Sequence, residues 1–405
     1  MADWSQLPPE LVVLIAKRLE AGFDVLRFRS VCSSWRSSVP PRLDPHLLPI
    51  YLPYSRRLSS YHHRRIHITR NTFYLIRLSH GNKAQAPACW FVKIRDRTDG
   101  VKMQLLDPFS DYNPKPLPEN FPKVLDLSNV QVLELGHEYI GQYKALIDHP
   151  SAHIYRDYRK KVVLLRSNSD SNDFMILTFF QCLAVRRSGE EEWVMLENVK
   201  DISDIISFNG KFYAIDYEGR TTVIDQSLNV SFLQQHAGTS RSRKFLVKSV
   251  DDLLAVERLL NPVVHSSGGP MSNCSGFRVF RMNEEEQKWD EMKSLRDRIL
   301  FLGYRQAISA PASEFCSGKG NLVFYLKGFS ACGLMRVFDL ETGTASPLEN
   351  WPAYCDLFWP SPQWVNSAES VISSAQVSSN STHPITSAGR EAGTPSSKCS
   401  FTRTH

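Results

Sequence analysis

The sequence predicts a mainly β protein, in which a small unit of three short helices precedes a β-propeller and a disordered carboxyl-terminal tail. Helical periodicity is confined to roughly the first 45 residues, whereas residues 61–359 divide into short strands separated by Gly, Asn, Asp and Ser turns. Strand and turn units recur there, and about 40 to 60 residues per blade would give six or seven blades. We therefore divide the chain into residues 1–45, 46–60, 61–365 and 366–405.

The first helix is expected from about Pro9 to Glu20. Proline is tolerated at a helix start, and Glu10 is favourable in the first turn. We expect Gly22 to end this helix and Asp24 to cap the next one. The apolar side chains on one side of the first helix recur every four residues: Leu11, Ile15 and Leu19.

A second helical stretch repeats this amphipathic pattern, with apolar side chains three and four positions apart at Val25, Phe28, Cys32, Trp35 and Val39. A unit of this size without disulfide or metal usually cannot bury two such faces by itself. Four or five exposed anchors represent about 10 kcal/mol of association energy. Either the strand domain of the same chain or a separate partner is expected to cover them.

The segment after the helices is rich in proline and basic residues. Five prolines within residues 39–53 disfavour a helix and suit an extended connector. Between Asp44 and Asp96 there are nine Lys and Arg residues and no acidic one. We expect solvated basic faces on a linker and the first strands, with a docking patch for an acidic partner as the alternative.

Two kinds of unit recur in the strand-rich region. In the first, an apolar pair precedes an aspartate and a turn: LLDPFSD at 105–111, VIDQSLN at 223–229 and VFDLETG at 337–343. In the second, a strand enters an acidic turn and returns through Trp193 or Trp289. We expect the aspartates to bond their own backbone and the tryptophans to pack within blades. Residues 201–225 predict three antiparallel strands, the first two joined at Asn209-Gly210.

Residues 366–405 contain 16 Ser or Thr in 40 positions and few large apolar groups, so we expect them to be disordered. No apolar run reaches the length of a membrane span, and from the first residues we expect no secretory signal. We expect a nuclear or cytoplasmic protein whose eight scattered cysteines are reduced. The segment RSRK at 241–244 is interpreted as a solvated loop, with part of a nuclear import signal as the alternative.

Catalytic and cofactor motifs are not found in the sequence. Phosphate-binding loops, HExxH and GxSxG are absent, and neighbouring histidines of HHRRIH at 62–67 would point to opposite faces of a strand. A net charge of +6 falls short of a nucleic-acid footprint. We therefore expect no catalytic residue, no metal or cofactor, no membrane contact and no nucleic-acid partner.

Residues 7–39, LPPELVVLIAKRLEAGFDVLRFRSVCSSWRSSV, resemble an F-box in their apolar identities and spacing. Residues 45–364 resemble the propeller of plant F-box proteins of the SKIP- and KIB-like family, a kelch-like domain formerly described as of unknown function. The segments that carry the likeness are LLDPFSD, WVMLENVKDISDIISFNGKFYAIDYEGR, FRVFRMNEEEQKWDEMKSLRDRILFLG and MRVFDLETGTASPLEN. Only the Ser/Thr-rich tail departs from the family pattern.

This resemblance implies that the helices dock on the Skp-type adaptor of a cullin ubiquitin ligase while the propeller presents a protein substrate. The chain would be a non-catalytic substrate receptor. The residues that match the adaptor-facing and internal anchor positions of the F-box family are Leu7, Pro8, Leu11, Ile15, Leu19, Val31, Cys32 and Trp35. Trp35 above all could instead hold the helices together. Two alternatives stay open: a ligase-independent scaffold or inhibitor that acts through the propeller, and an enzyme or small-ligand propeller whose helices are a dimerisation or docking element.

Overall fold

The structure is a computed structural model, and it describes the following residues: 4–19, 22–39, 50–51, 65–78, 89–96, 103–109, 130–149, 152–166, 173–179, 182–190, 192–233, 242–264, 270–315, 318–327, 334–355 and 357–358. The predicted disordered tail at 366–405 lies outside these residues, as does most of the predicted connector at 46–60. The boundaries of the four predicted segments stay predictions.

Three short helices follow a turn of 3-10 helix at Trp4–Gln6. They are α1 (Pro9–Lys17), α2 (Gly22–Ser30) and α3 (Ser33–Ser38). The expected roles of Gly22 and Asp24 are wrong, because Gly22 begins α2 and Asp24 lies in its first turn, where its carboxylate pairs with Arg27 at 3.1 Å. Cys32 separates α2 from α3, since its backbone is extended and its sulfur accepts the Trp35 N–H.

The rest of the described chain is almost entirely β-structure. Its strands are β1 (Ile50–Tyr51), β2 (Arg65–Leu78), β3 (Cys89–Asp96), β4 (Met103–Leu106), β5 (Val130–His149), β6 (Ala152–Arg166), β7 (Phe174–Phe179), β8 (Leu183–Arg187), β9 (Val194–Leu196), β10 (Ile202–Phe208), β11 (Lys211–Asp216), β12 (Thr221–Ile224), β13 (Val230–Phe232), β14 (Lys244–Ser249), β15 (Asp252–Val264), β16 (Pro270–Asn283), β17 (Lys288–Met292), β18 (Arg298–Leu302), β19 (Ala307–Pro311), β20 (Leu322–Leu326), β21 (Met335–Asp339) and β22 (Thr344–Pro347). Single turns of 3-10 helix lie at Ala312–Glu314, Leu348–Asn350 and Pro352–Tyr354. The predicted mainly β class is confirmed.

These strands form four sheets around a ring. The first holds β1 to β9, the second β10 to β13, the third β14 to β17, and the fourth runs in the order β19-β18-β20-β21-β22. Strand β10 contacts β6 and β14, and β19 contacts β14 and β5, so the innermost strands close on one another. The ring of sheets is a propeller. Because the first sheet has nine strands, more than a four-stranded blade, sheets and blades do not correspond one to one.

The hairpins of the second sheet agree with those predicted from the sequence. Strands β10, β11 and β12 pair antiparallel within residues 201–225, as predicted. Asn209 and Gly210 both have positive φ, at 44° and 72°, as a tight hairpin turn of this type requires. The turn aspartates also behave as predicted, since the Asp107, Asp225 and Asp339 carboxylates accept nearby backbone N–H groups.

Aromatic side chains fill the core where the fourth sheet meets the first. Phe91 of β3 and Phe301 of β18 stack with ring centroids 4.6 Å apart, and Phe358 packs edge-on against Phe91. The Phe91 N–H also donates to the Leu357 carbonyl at 2.6 Å. The last described residues are thereby attached to the first sheet.

Several basic side chains of the first strands form ion pairs and are half-buried or buried. The expectation of solvated basic faces in the first strands is wrong at three positions, which pair with acidic residues: Arg70 with Glu134, Arg77 with Glu314, and Lys93 with Glu138. Lys93 and Glu138 are almost fully buried, with Nζ and Oε1 2.6 Å apart. A charge at such a site needs a partner, because desolvation of an unpaired ion is costly.

Candidate adaptor-binding site

The three helices have a compact apolar core of their own. Its buried members are Val12, Ala16, Val25, Trp35 and Val39, and the half-buried Leu7, Leu19, Phe28 and Cys32 pack against them. All of these side chains come from residues 7–39. The apolar stripe predicted on the second helical stretch is therefore the internal core of the unit.

Trp35 organises this core. Its ring lies 4.3 Å from that of Phe28, measured between centroids, and its indole N–H donates to the Trp4 carbonyl at 3.2 Å. The Arg29 guanidinium donates to the carbonyls of Arg36 and Val39 and so ties α2 to the end of α3. These contacts show that Trp35 holds the helices together, the alternative role that the sequence allowed for it.

Helix α1 presents different residues on its two sides. Val12 and Ala16, one turn apart, face the internal core and are buried. Leu11, Leu14 and Ile15 face outward, with 46%, 56% and 41% of their surfaces exposed. Their spacing of three and four residues makes them neighbours on one face. No charged residue lies between Glu10 and Lys17, so the three exposed side chains form an uninterrupted apolar patch along the middle of α1.

Exposed apolar surface is concentrated in the helical unit. Of the twelve large hydrophobic side chains that are exposed among the described residues, five lie within residues 4–31: Trp4, Leu11, Leu14, Ile15 and Val31. Exposed apolar groups clustered in this way mark sites of interaction. The sequence did not single out Trp4 or Leu14 as site residues.

The predicted adaptor-binding residues fall into two groups. The exposed group comprises Pro8, Leu11, Ile15 and Val31, and the group that packs on or within the internal core comprises Leu7, Leu19, Cys32 and Trp35. The first group is exposed, whereas the second group is half-buried or buried. Their role in binding the adaptor stays a prediction.

A cavity of about 310 Å³ opens beside the β7–β8 hairpin of the propeller. The described residues that line it include Asp173, Arg187, Ser188 and Glu190, but no His or Cys. The Ser188 hydroxyl accepts the Phe174 N–H at 3.0 Å. Among these lining residues there is accordingly no nucleophile paired with an imidazole base.

Two properties of the described residues concern metal and membrane binding. No group of three or more His, Cys, Asp and Glu side chains in the described ranges is placed to hold one metal ion. In the same ranges, none of the helices has the length and apolar character needed to traverse a bilayer.

Comparison with known proteins gives the family. The family model of the F-box domain matches residues 4–40, and that of the KIB1-4 beta-propeller matches residues 62–346. F-box protein SKIP23 of Arabidopsis thaliana is 32% identical over 396 residues, covering 91% of this chain and 96% of that protein. F-box protein At2g17036 of the same plant is 31% identical over 405 residues, covering 92% of this chain and 97% of that protein. F-box/kelch-repeat protein At1g64840, also from Arabidopsis thaliana, is 27% identical over 351 residues, covering 85% and 90%.

Both family models agree with the architecture described above: one covers the helical unit with its outer face of α1, and the other covers most of the ring of sheets. The relatives match almost end to end. The chain therefore belongs to the F-box proteins that carry a KIB1-4 beta-propeller.

Proposed function

We propose that this protein is the substrate-recognition subunit of an Skp-cullin-F-box ubiquitin ligase. An F-box followed by a propeller fits the architecture of an F-box substrate receptor. The observation that carries the proposal is the outer face of α1, where Leu11, Leu14 and Ile15 are exposed on a helix whose opposite side is already packed. An Skp-type adaptor covers this face and links the protein to a cullin.

The internal core of the helical unit supports this assignment. Because Trp35 and its neighbours already bury the inner sides of the helices, docking requires no opening of the unit. We assign direct contact with the adaptor to Pro8, Leu11, Ile15 and Val31 of the predicted set, together with Trp4 and Leu14. Leu7, Leu19, Cys32 and Trp35 act indirectly by holding that surface in shape.

In this role the protein performs no bond chemistry. Its contribution is proximity: the propeller binds a protein substrate, and the adaptor places that substrate near the charged conjugating enzyme, which raises the effective concentration of substrate lysines. The closed ring of inner strands suits this task, because it holds the connecting loops on a rigid frame. We assign this role to the nucleus or the cytoplasm.

Co-purification of the full chain with a plant Skp-type adaptor and cullin tests the proposal. We expect Leu11→Ala/Ile15→Ala to weaken adaptor binding by about 4 kcal/mol, roughly a thousandfold, because both side chains are anchors in the interface. The matched control is Leu133→Ala/Val194→Ala, which truncates two propeller side chains of similar exposure, 38% and 41%.

Circular dichroism should show both double variants folded, because all four side chains are at the surface. Full adaptor binding by Leu11→Ala/Ile15→Ala would contradict the site assignment. A wild-type chain that binds no adaptor, yet still captures a propeller partner, would favour the ligase-independent scaffold.

A further inference from the structure

One end of the propeller carries a cluster of arginine and tyrosine side chains. Tyr304, in the β18–β19 turn, has two guanidinium groups close to its ring: the ring centroid is 4.9 Å from the Arg305 Cζ and 5.5 Å from the Arg243 Cζ. Arg243 directly precedes β14, and its guanidinium also donates to the Tyr304 carbonyl. We refer to Arg243, Tyr304 and Arg305 as the arginine cluster.

The cluster lies at the end of the ring where the inner strands begin. Arg243 and Tyr304 are in contact just before β14 and β19, whereas the hydroxyls of Ser249, the last residue of β14, and Ser309, in the middle of β19, are 2.9 Å apart. The two inner strands therefore run parallel. Residues that precede them are brought together from different sheets at one rim of the ring.

The turn that presents the cluster is held firmly. The Gly303 N–H donates to the Gln306 carbonyl at 2.8 Å, and the Tyr304 N–H donates to the Phe109 carbonyl at 2.8 Å. A Cβ atom at Gly303 would lie only 3.1 Å from the Gln306 carbonyl oxygen and 3.3 Å from that of Phe109. A larger residue would fit at Gly303 only if these carbonyl groups shifted by a few tenths of an ångström. The backbone of the turn is thus fixed before any ligand arrives.

The cluster contains the guanidinium groups of Arg243 and Arg305. A further arginine lies next to it, since the Arg258 N–H donates to the Arg243 carbonyl at 2.9 Å and the buried Arg258 guanidinium donates to the Leu326 carbonyl. Arg243 has no ion pair with a described residue, and its buried Nε has no hydrogen-bond partner among them. Burial also lowers the pKa of Arg305 to about 10, which leaves it cationic at neutral pH.

We infer that the arginine cluster binds an acidic segment of a protein substrate, with a carboxylate bound by the guanidinium groups of Arg243 and Arg305. The inference rests on the proposed function in taking the propeller as the domain that presents the substrate. Tyr304 is 44% exposed, so the site is open to a polypeptide rather than enclosed around a small molecule. The cluster is compact and has one exposed ring, whereas a single-stranded nucleic acid needs a longer basic groove with several aromatic rings.

Fluorescence anisotropy with the full-length chain tests this site. The probe is a short fluorescein-labelled peptide of alternating glutamate and glycine, and the same peptide with glutamine in place of glutamate is the uncharged comparison. We expect Arg243→Gln/Arg305→Gln to weaken binding of the glutamate peptide at least tenfold, because charge-assisted hydrogen bonds are lost. Lys248→Gln/Arg281→Gln removes the same charge from two exposed residues remote from the cluster, so we expect less than a twofold change.

Equal losses in both double variants, tight binding of the glutamine peptide, or no binding by the wild-type chain would overturn the inference. Stronger binding of a single-stranded RNA oligomer that depends on the same two arginines would also overturn it. If Arg243→Gln/Arg305→Gln has a lower melting temperature than the wild-type chain, amide hydrogen exchange at residues 303–306 of the wild-type chain tests the inference instead. The glutamate peptide should slow this exchange, and unchanged exchange would overturn the inference.

The adaptor proposal and this inference can fail separately. Leu11→Ala/Ile15→Ala should bind the glutamate peptide like the wild-type chain, and Arg243→Gln/Arg305→Gln should retain the adaptor.

Discussion

The carboxylate of Asp204 links three inner strands of the propeller. It is 4% exposed, lies 2.6 Å from the Lys161 ammonium of β6, and accepts the backbone N–H groups of Ile205 in β10 and Leu246 in β14, both at 2.8 Å. Asp204→Ala removes all three interactions at once. It leaves the Lys161 ammonium, itself 6% exposed, without this partner.

The expected loss of stability follows from these contacts. Removing one partner of a buried ion pair costs about 3–5 kcal/mol, because the other charge stays buried. Each N–H left unpaired adds about 1–3 kcal/mol. We therefore expect Asp204→Ala to lower the free energy of unfolding by at least about 5 kcal/mol, much of the 5–15 kcal/mol that is typical of a protein. Lys161→Met should cost less, about 3 kcal/mol, since Asp204 keeps its two backbone donors.

Urea unfolding of the full chain, followed by circular dichroism, measures both variants. The difference between them is the informative quantity, because the two substitutions disrupt the same ion pair. A loss below about 2 kcal/mol for Asp204→Ala, or equal losses for the two variants, would show that Asp204 does not link the inner strands in this way.

Three further outcomes follow from the packing of the propeller. Phe91→Ala should lower the free energy of unfolding by about 3–5 kcal/mol in a urea titration, because the ring is 1% exposed and stacks within the aromatic core; a loss below about 1 kcal/mol would contradict this packing. Gly320→Ala should lower the melting temperature, since a Cβ there would lie 2.1 Å from a backbone oxygen, and an unchanged melting temperature would exclude that close approach. Burial and the nearby Glu284 carboxylate raise the pKa of Tyr213 to about 12. As the pH rises, the Tyr213 hydroxyl therefore loses its proton in the unfolded chain before it does so in the folded chain. The free energy of unfolding should fall between about pH 10 and pH 12 by more in the wild-type chain than in Tyr213→Phe. Equal falls in the two proteins would contradict the raised pKa.

Features that depend on neighbouring residues could be predicted from the sequence. Asn209-Gly210 makes a tight hairpin because both residues tolerate positive φ, and the turn aspartates bond backbone groups two to four residues away. Trp289 is buried as predicted, and its indole N–H donates to the Thr221 hydroxyl at 3.0 Å. Local chemistry therefore identified the hairpins and the propeller.

The two sides of α1 could not be assigned from the sequence. Residues 11–16 are all apolar, so periodicity alone does not say which of them face inward. The predicted stripe of Leu11, Ile15 and Leu19 is in fact divided, with Leu19 half-buried and the other two exposed. The inner side is set by Val12 and by Ala16, a small residue that leaves room for the packing of α3.

Contacts between residues that are distant in the chain also could not be predicted from the sequence. Lys93, Lys161 and Lys244 resemble surface lysines locally, yet each is buried against a carboxylate from another strand. Lys244 belongs to the RSRK segment, so neither the solvated loop nor an accessible import signal describes it correctly. The arginine cluster was missed for the same reason, since its residues are brought together only when the ring closes.

Hydrogen exchange of the full chain with and without an Skp-type adaptor tests the central claim most directly, since it reports where the adaptor binds without altering the protein. We predict slower exchange within Pro9–Lys17 when the adaptor is present, with no change in the hairpins of the second sheet. Unchanged exchange in α1 together with protection of the propeller would show that the adaptor binds elsewhere.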